Sequence, residues 1–205
     1  GGVDIHIRFP GIQLAPHLAF AELWRGRHIQ EIAHWPCAVP SLDAQRLLLL
    51  LHAARNGGPA AADVGPAWTA ATAAEQDRVL QLAASLRAEV ALAGATGHLD
   101  EYSDRPEYDL WRLLGLPDAD VFELWLSFVK AAPTPLGRAQ ALLYAVRVKA
   151  ERIDLDLQRR ATPMEVLHSY GDRLQRGFAG LLSLIGRAAL RRAGRLRART
   201  SGTPT

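Results

Sequence analysis

Ser41-Leu-Asp-Ala-Gln-Arg-Leu-Leu-Leu-Leu-Leu-His-Ala-Ala-Arg-Asn-Gly57 carries the signals of a helix at both of its ends. Pro40 stops the preceding segment, Ser41 offers a hydroxyl N-cap, and Asp43 puts negative charge into the first turn. Asn56-Gly57 tolerates the left-handed backbone that closes a helix. Leu47 to Leu51 are consecutive. At 100° per residue, five leucines go right round the helix and leave no face for water. At roughly 1.5–3 kcal/mol per buried Leu, the rest of the chain is expected to wrap this element.

Working outward, composition sets the bounds. The chain has 205 residues, 49% hydrophobic and 22% charged, with a net charge of +3. These values describe an ordinary globular chain of one or two domains. The single cysteine, Cys37, rules out an internal disulfide and reads as a small buried side chain in a reducing, cytoplasmic setting. No apolar run approaches the ~18–20 residues of a membrane span. The N-terminus lacks a basic region followed by an apolar one, so no signal peptide is expected.

Before the leucine helix, Val3-Asp-Ile-His-Ile-Arg-Phe9 alternates strictly and reads as a strand. Val3, Ile5, Ile7 and Phe9 share one face; Asp4, His6 and Arg8 share the other. Pro10 ends it, and residues 11–17 read as a loop. Residues 19–25 read as a short helix, with Phe20, Leu23 and Trp24 on one side. Residues 28–32 and 36–39 form a possible hairpin around Ala33-His34-Trp35. Two or three short strands make a marginal sheet. The chain is therefore expected to be a C-terminal fragment lacking earlier strands, or to have a processed or engineered start.

This order of parts resembles a known family. Val3-Asp4-Ile5-His6-Ile7 is similar to the Val-Asp-Leu-His-Trp strand of the uncharacterised bacterial nucleotidyltransferases, in the DNA polymerase β-like nucleotidyltransferase superfamily. Phe20-Ala-Glu-Leu-Trp24 resembles the Leu-Trp helix that follows it there. Val39-Pro-Ser-Leu-Asp43 with Leu47–His52-Ala-Ala-Arg55 resembles the family's turn and leucine-rich helix ending in His-Ala-Ala. The likeness covers residues 3–57. The superfamily's Gly-Ser turn and paired Asp-x-Asp lie upstream of this strand and are absent here. The Trp and Asp that usually follow the leucine helix are replaced by the loop of residues 57–66, where Asp63 is the only acid.

The resemblance implies transfer of a nucleotidyl group from an NTP to a small acceptor, with Mg²⁺ as cofactor. It makes Asp4 the third carboxylate of the site, as metal ligand or general base, and lets His6 and Arg8 reach substrate. Mg²⁺ neutralises phosphate charge and prefers carboxylate and water oxygens. Without the upstream pair, this chain alone is expected to be inactive. A strand with one solvated face would look the same in sequence. His52 reads as a core or helix-end histidine, with a ligand role as the alternative. Arg55 reads as a phosphate contact or as a cation favoured by the helix dipole.

Beyond Pro66 the pattern is helical. Residues 68–95 read as one helix ending near Gly94–Gly97. An acidic stretch follows, from Asp100 to Glu123, offset only by Arg105 and Arg112. It has no ligand spacing and reads as a solvated face at two helix starts. Residues 108–114 and 121–129 supply the buried sides of those helices. Pro133-Thr-Pro135 breaks the chain, and residues 136–157 read as a helix with Leu142, Leu143, Val146, Ile153 and Leu157 inward. Pro163 opens the last helix, and no internal repeat stands out.

Residues 173–205 carry eight arginines and no acid; the rest of the chain, with 16 basic and 21 acidic residues, sits at −5. Arg187, Arg191, Arg195 and Arg199 recur every four residues. This is a basic stripe fit for an anionic membrane at the inner face, for the acidic stretch, or for solvent. The arginines have no interleaved aromatics, which argues against single-stranded nucleic acid, and a nucleic-acid partner is not expected. The expected fold is α+β, mostly α: a remnant of a nucleotidyltransferase sheet with two to three short N-terminal strands, then a helical bundle. The expected divisions are 1–40 (end of the α/β core), 41–172 (helical domain) and 173–205 (basic helix and tail). The contrasting reading is a non-catalytic helical scaffold, or an adaptor that binds a membrane or partner.

Overall fold

The computed structural model describes residues 9–146, 159–160, 162–165, 168–169 and 171. The fold is α+β and mostly α, with a short helix and a two-stranded antiparallel sheet near the N-terminus and the other helices after them. The chain divides after Ala131 into two units.

The first unit is built round helix α2, Leu42–Arg55. Ser41 Oγ accepts the Ala44 N–H at 3.3 Å, and Gly57 takes φ +113°, so both expected ends are in place. The leucine run is not buried all round. Leu47, Leu50 and Leu51 are fully enclosed, Leu48 is half-buried, and Leu49 is 44% exposed. Helices cover the 47/50/51 and 53/54 sides of α2, and the sector through Leu49 and His52 stays open.

Those covering helices are α3 (Ala73–Leu86), α4 (Glu89–Thr96) and α5 (Tyr108–Leu114). Val79, Ala83 and Leu86 from α3, Val90 to Leu92 from α4 and Trp111 from α5 complete the core. Small residues set the close approach: a Cβ on Gly94 would lie 3.4 Å from Trp111 Cβ and 3.7 Å from Ala54 Cβ. The single helix expected over residues 68–95 is in fact three pieces. Gly65–Thr69 is a π-turn, closed by Ala70 N–H to Gly65 O at 2.9 Å. Arg87 takes a left-handed φ of 54°, and the Ala88 N–H then reaches back to Ala83 O at 2.8 Å, ending α3.

Ahead of α2 come α1 (Pro16–Trp24), β1 (His28–Ile32) and β2 (Trp35–Val39). Helix α1 starts at Pro16, earlier than expected, because a proline suits the first helical position. The strands pair from His28 with Val39 to Ile32 with Trp35. Trp35 is therefore in the strand, and the turn is Ala33-His34 alone, both at positive φ (51° and 68°). A two-residue turn needs this geometry to match the strand twist. Cys37 on β2 is half-buried rather than enclosed.

Residues 9–15 form a strap over the core. Leu14 N–H donates to Leu86 O at 3.2 Å, and Phe9, Ile12 and Leu14 pack on the core cluster. Helix α6 (Val121–Ala131) packs on α5, and its one buried residue is Ser127, not an aromatic. Val121 and Phe128 are exposed, and Phe122, Leu124, Trp125 and Val129 are half-buried. The burial expected of this side is therefore not found at Val121 and Phe128 and is only partial at the others.

In the second unit, α7 (Pro135–Val146) follows the expected break. Thr134 Oγ1 accepts the Gly137 N–H at 3.0 Å and caps it. Leu142 and Leu143 are exposed, against the inward placement expected of them. Thr162 and Glu165 cap each other's backbone N–H groups at the helix start marked by Pro163.

Candidate functional site

Asp4, His6 and Arg8 lie outside the described residues, as do Ile153 and Leu157 of the helix expected over 136–157 and the arginines from Arg187 to Arg199. The described chain begins at Phe9, which packs on the core.

The other candidate group sits at the C-terminal end of α2. The ring of His52 stands between two partners. Nδ1 faces the Asp63 carboxylate at 3.6 Å, longer than a hydrogen bond. Nε2 lies 3.0 Å from Asn56 Nδ2. That same Nδ2 donates to the His52 carbonyl at 3.2 Å, which turns the amide nitrogen toward the ring and makes Nε2 an acceptor. The side chain is 59% exposed, so His52 is a helix-end histidine and not a core one. With the Nε2 lone pair engaged by its own helix, the ring orders the C-terminus; its exposed bond is worth about 0.5–1.5 kcal/mol. Arg55 is exposed in the last turn, where the helix dipole favours a cation.

The remaining polar groups knit elements together. Arg46 on α2 and Glu75 on α3 pair at 2.7 Å, and Arg78 binds Asp43 at 2.9 Å along the same seam. Thr72 caps α3 reciprocally with Glu75: the carboxylate accepts the Thr72 N–H at 2.8 Å and its hydroxyl at 2.9 Å. Arg46 first, and then Thr72, hold the Glu75 carboxyl down at about 2.

The acidic stretch is only partly solvated. Glu107 is buried, and its Oε1 accepts from Gln13 Nε2 of the strap at 2.6 Å. Tyr108 donates its hydroxyl to Asp100 at 2.8 Å, a bond that raises the phenol pKa. Asp109 meets Lys130 of α6 at 3.4 Å. Among the described residues no group of three or more His, Cys, Asp or Glu side chains is placed to hold a metal ion. No family model, curated protein or solved structure matches the chain.

Sequence reasoning missed the burial of Glu107 and the Arg46–Glu75 pair. The Thr72-x-x-Glu75 spacing signals the capping box that holds Glu75, but not its pairing with Arg46 on another helix. The burial of Glu107 had no signal, because Gln13 lies 94 positions away.

Proposed function

We propose that the chain is part of a nucleotidyltransferase-family protein that moves a nucleotidyl group from an NTP to a small acceptor. The observation that supports this reading is the order of parts along residues 3–57. A helix ending at Trp24, a hairpin and a capped leucine-rich helix ending in His-Ala-Ala-Arg follow the Val-Asp-Ile-His stretch, in the succession the family resemblance asks for. In this reading Asp4 contributes one carboxylate to Mg²⁺, and His6 and Arg8 contact substrate. The ion would supply charge neutralisation at phosphate.

The test is NTP turnover. Residues 1–205 alone should release no pyrophosphate in the presence of Mg²⁺, since one Asp leaves the ion too few anionic ligands. A protein that also carries a Gly-Ser turn and Asp-x-Asp ahead of Gly1 should release it, given its acceptor. There Asp4→Asn should cut turnover by orders of magnitude with the fold intact, the change being nearly isosteric. Full activity of that variant would return the Asp4, His6 and Arg8 face to an ordinary solvated strand. The contrasting reading is a scaffold or adaptor without chemistry. It draws on one observation: the described polar side chains engage one another in caps and ion pairs.

A further inference from the structure

Glu107 is a buried acid whose bonding is incomplete. It is 7% exposed, and only one of its carboxyl oxygens is used. Oε1 accepts from Gln13 Nε2 at 2.6 Å, while Oε2 is enclosed and finds no hydrogen-bond partner among the described residues. An enclosed polar atom without a partner loses its hydration and gains nothing in return. What covers this carboxyl is the strap of residues 9–15. Glu107 and Trp111 are four residues apart, joined by Trp111 N–H to Glu107 O at 3.1 Å, so they share one face at the start of α5. Gln13 lies over the first and Gly11 over the second: a Cβ on Gly11 would come 3.3 Å from Trp111 Cη2. Gln13 is itself exposed, so it stands between Glu107 and solvent. The apolar residues of the strap hold it only in part, since Phe9, Ile12 and Leu14 are half-buried.

We propose that the strap is a latch that opens while the helices stay folded, and that the unpaired oxygen of Glu107 is what holds its closed and open forms close in free energy. Opening lifts Gln13 off the carboxyl and lets water reach both oxygens. Closing regains the apolar contacts of Phe9, Ile12 and Leu14 and the bond from Leu14 N–H to Leu86 O, and it strips that water away again. Two opposed contributions of similar size give an element with two populated positions. The open position uncovers Trp111, Leu51 and Ala91, the side chains beneath Gly11. An apolar side chain at position 107 would remove the opposing contribution and lock the strap down. The latch goes beyond the nucleotidyltransferase reading and does not depend on it.

The experiment is native-state amide exchange, followed by NMR, on the full 205-residue chain and on two variants, Gln13→Ala and Glu107→Met. Leu14 reports the latch, and Leu92, whose N–H bonds Ala88 O at 2.9 Å, reports the core. In the wild type Leu14 should be protected about ten-fold less than Leu92, or weaker still. Gln13→Ala removes the strap's bond to Glu107 and should speed exchange at Leu14 about two- to ten-fold. Glu107→Met deletes the same bond but also the unpaired oxygen, in a side chain of similar length, and Gln13 is free to turn to water. It should slow exchange at Leu14 about five-fold or more. Opposite signs distinguish the latch from a plain tether, for which both variants would loosen the strap. Equal protection of Leu14 and Leu92 in the wild type would overturn the proposal, since the strap would then open only with the whole unit. Faster exchange at Leu14 in Glu107→Met would do so too, by showing that an ordered water completes Oε2. So would unchanged exchange in either variant, or loss of Leu92 protection in Glu107→Met. NTP turnover does not enter this readout, so its outcome is separate from that of the nucleotidyltransferase reading.

Discussion

Glu75 spends one carboxylate on three contacts: Oε2 takes the N–H and the hydroxyl of Thr72, and Oε1 faces Arg46. All three favour the ionised form, which is why its pKa falls from 4.5 to about 2. Glu165 repeats the device with Arg159 and Thr162 and also falls to about 2. A folded-state pKa below the unfolded one means stability that is fully present above the unfolded value and is lost as pH drops through the folded value. Urea midpoints should therefore hold steady down to about 4.5 and then decline toward pH 2. Glu75→Gln should flatten part of that acid limb. Thr72→Ala should cost about 1 kcal/mol at neutral pH through loss of the cap. An acid limb unchanged in the Glu75→Gln variant would show that the carboxylate is no more strongly held in the folded chain than in the unfolded one.

The strap of residues 9–15 is the element through which the N-terminal stretch joins the core. Gly11 sits at φ +96°, and a Cβ there would lie 2.8 Å from Ala91 Cβ and 3.2 Å from Leu51 Cδ2. Backbone strain and overpacking act together, so Gly11→Ala should destabilise the first unit by roughly 1–3 kcal/mol. Amide exchange should show the loss first at Leu14, whose N–H bonds Leu86. Unchanged protection at Leu14 would mean that the strap can shift aside. At this scale the sequence reads well where the signals are local. Ser41, Asp43 and Asn56-Gly57 bound α2 correctly, and the strand candidates at 28–32 and 36–39 do pair as a hairpin. It reads poorly where tertiary packing chooses. Nothing about Arg87 announces a left-handed residue, yet that residue divides the expected long helix. Five adjacent leucines do not say which sector of α2 will be covered, and Leu49 is left outside. The candidate site was legible only through family likeness, since Asp4, His6 and Arg8 alternate as any solvated strand face would. The described contacts of His52, by contrast, explain it as a helix end.

For the whole molecule the informative quantity is how charge is shared along the chain. Eight arginines without an acid in residues 173–205 stand against −5 in the rest. Among the described residues no helix is long and apolar enough to cross a membrane. Arg187, Arg191, Arg195 and Arg199 at four-residue spacing would fall on one stripe of a helix, and Phe178, Leu181, Leu182 and Ile185 would give an apolar stripe before it. Each basic side chain near an anionic surface is worth about 1 kcal/mol, and the attraction fades within a Debye length of about 8 Å at physiological ionic strength. The chain should therefore co-sediment with vesicles rich in phosphatidylserine at low salt, release as salt is raised, and ignore neutral phosphatidylcholine vesicles. Truncation before Arg187 should abolish the salt-sensitive part while leaving the first unit folded. Equal sedimentation of the full and truncated chains would show that the arginines do not meet the membrane. Salt-independent binding would assign the contact to the apolar stripe instead.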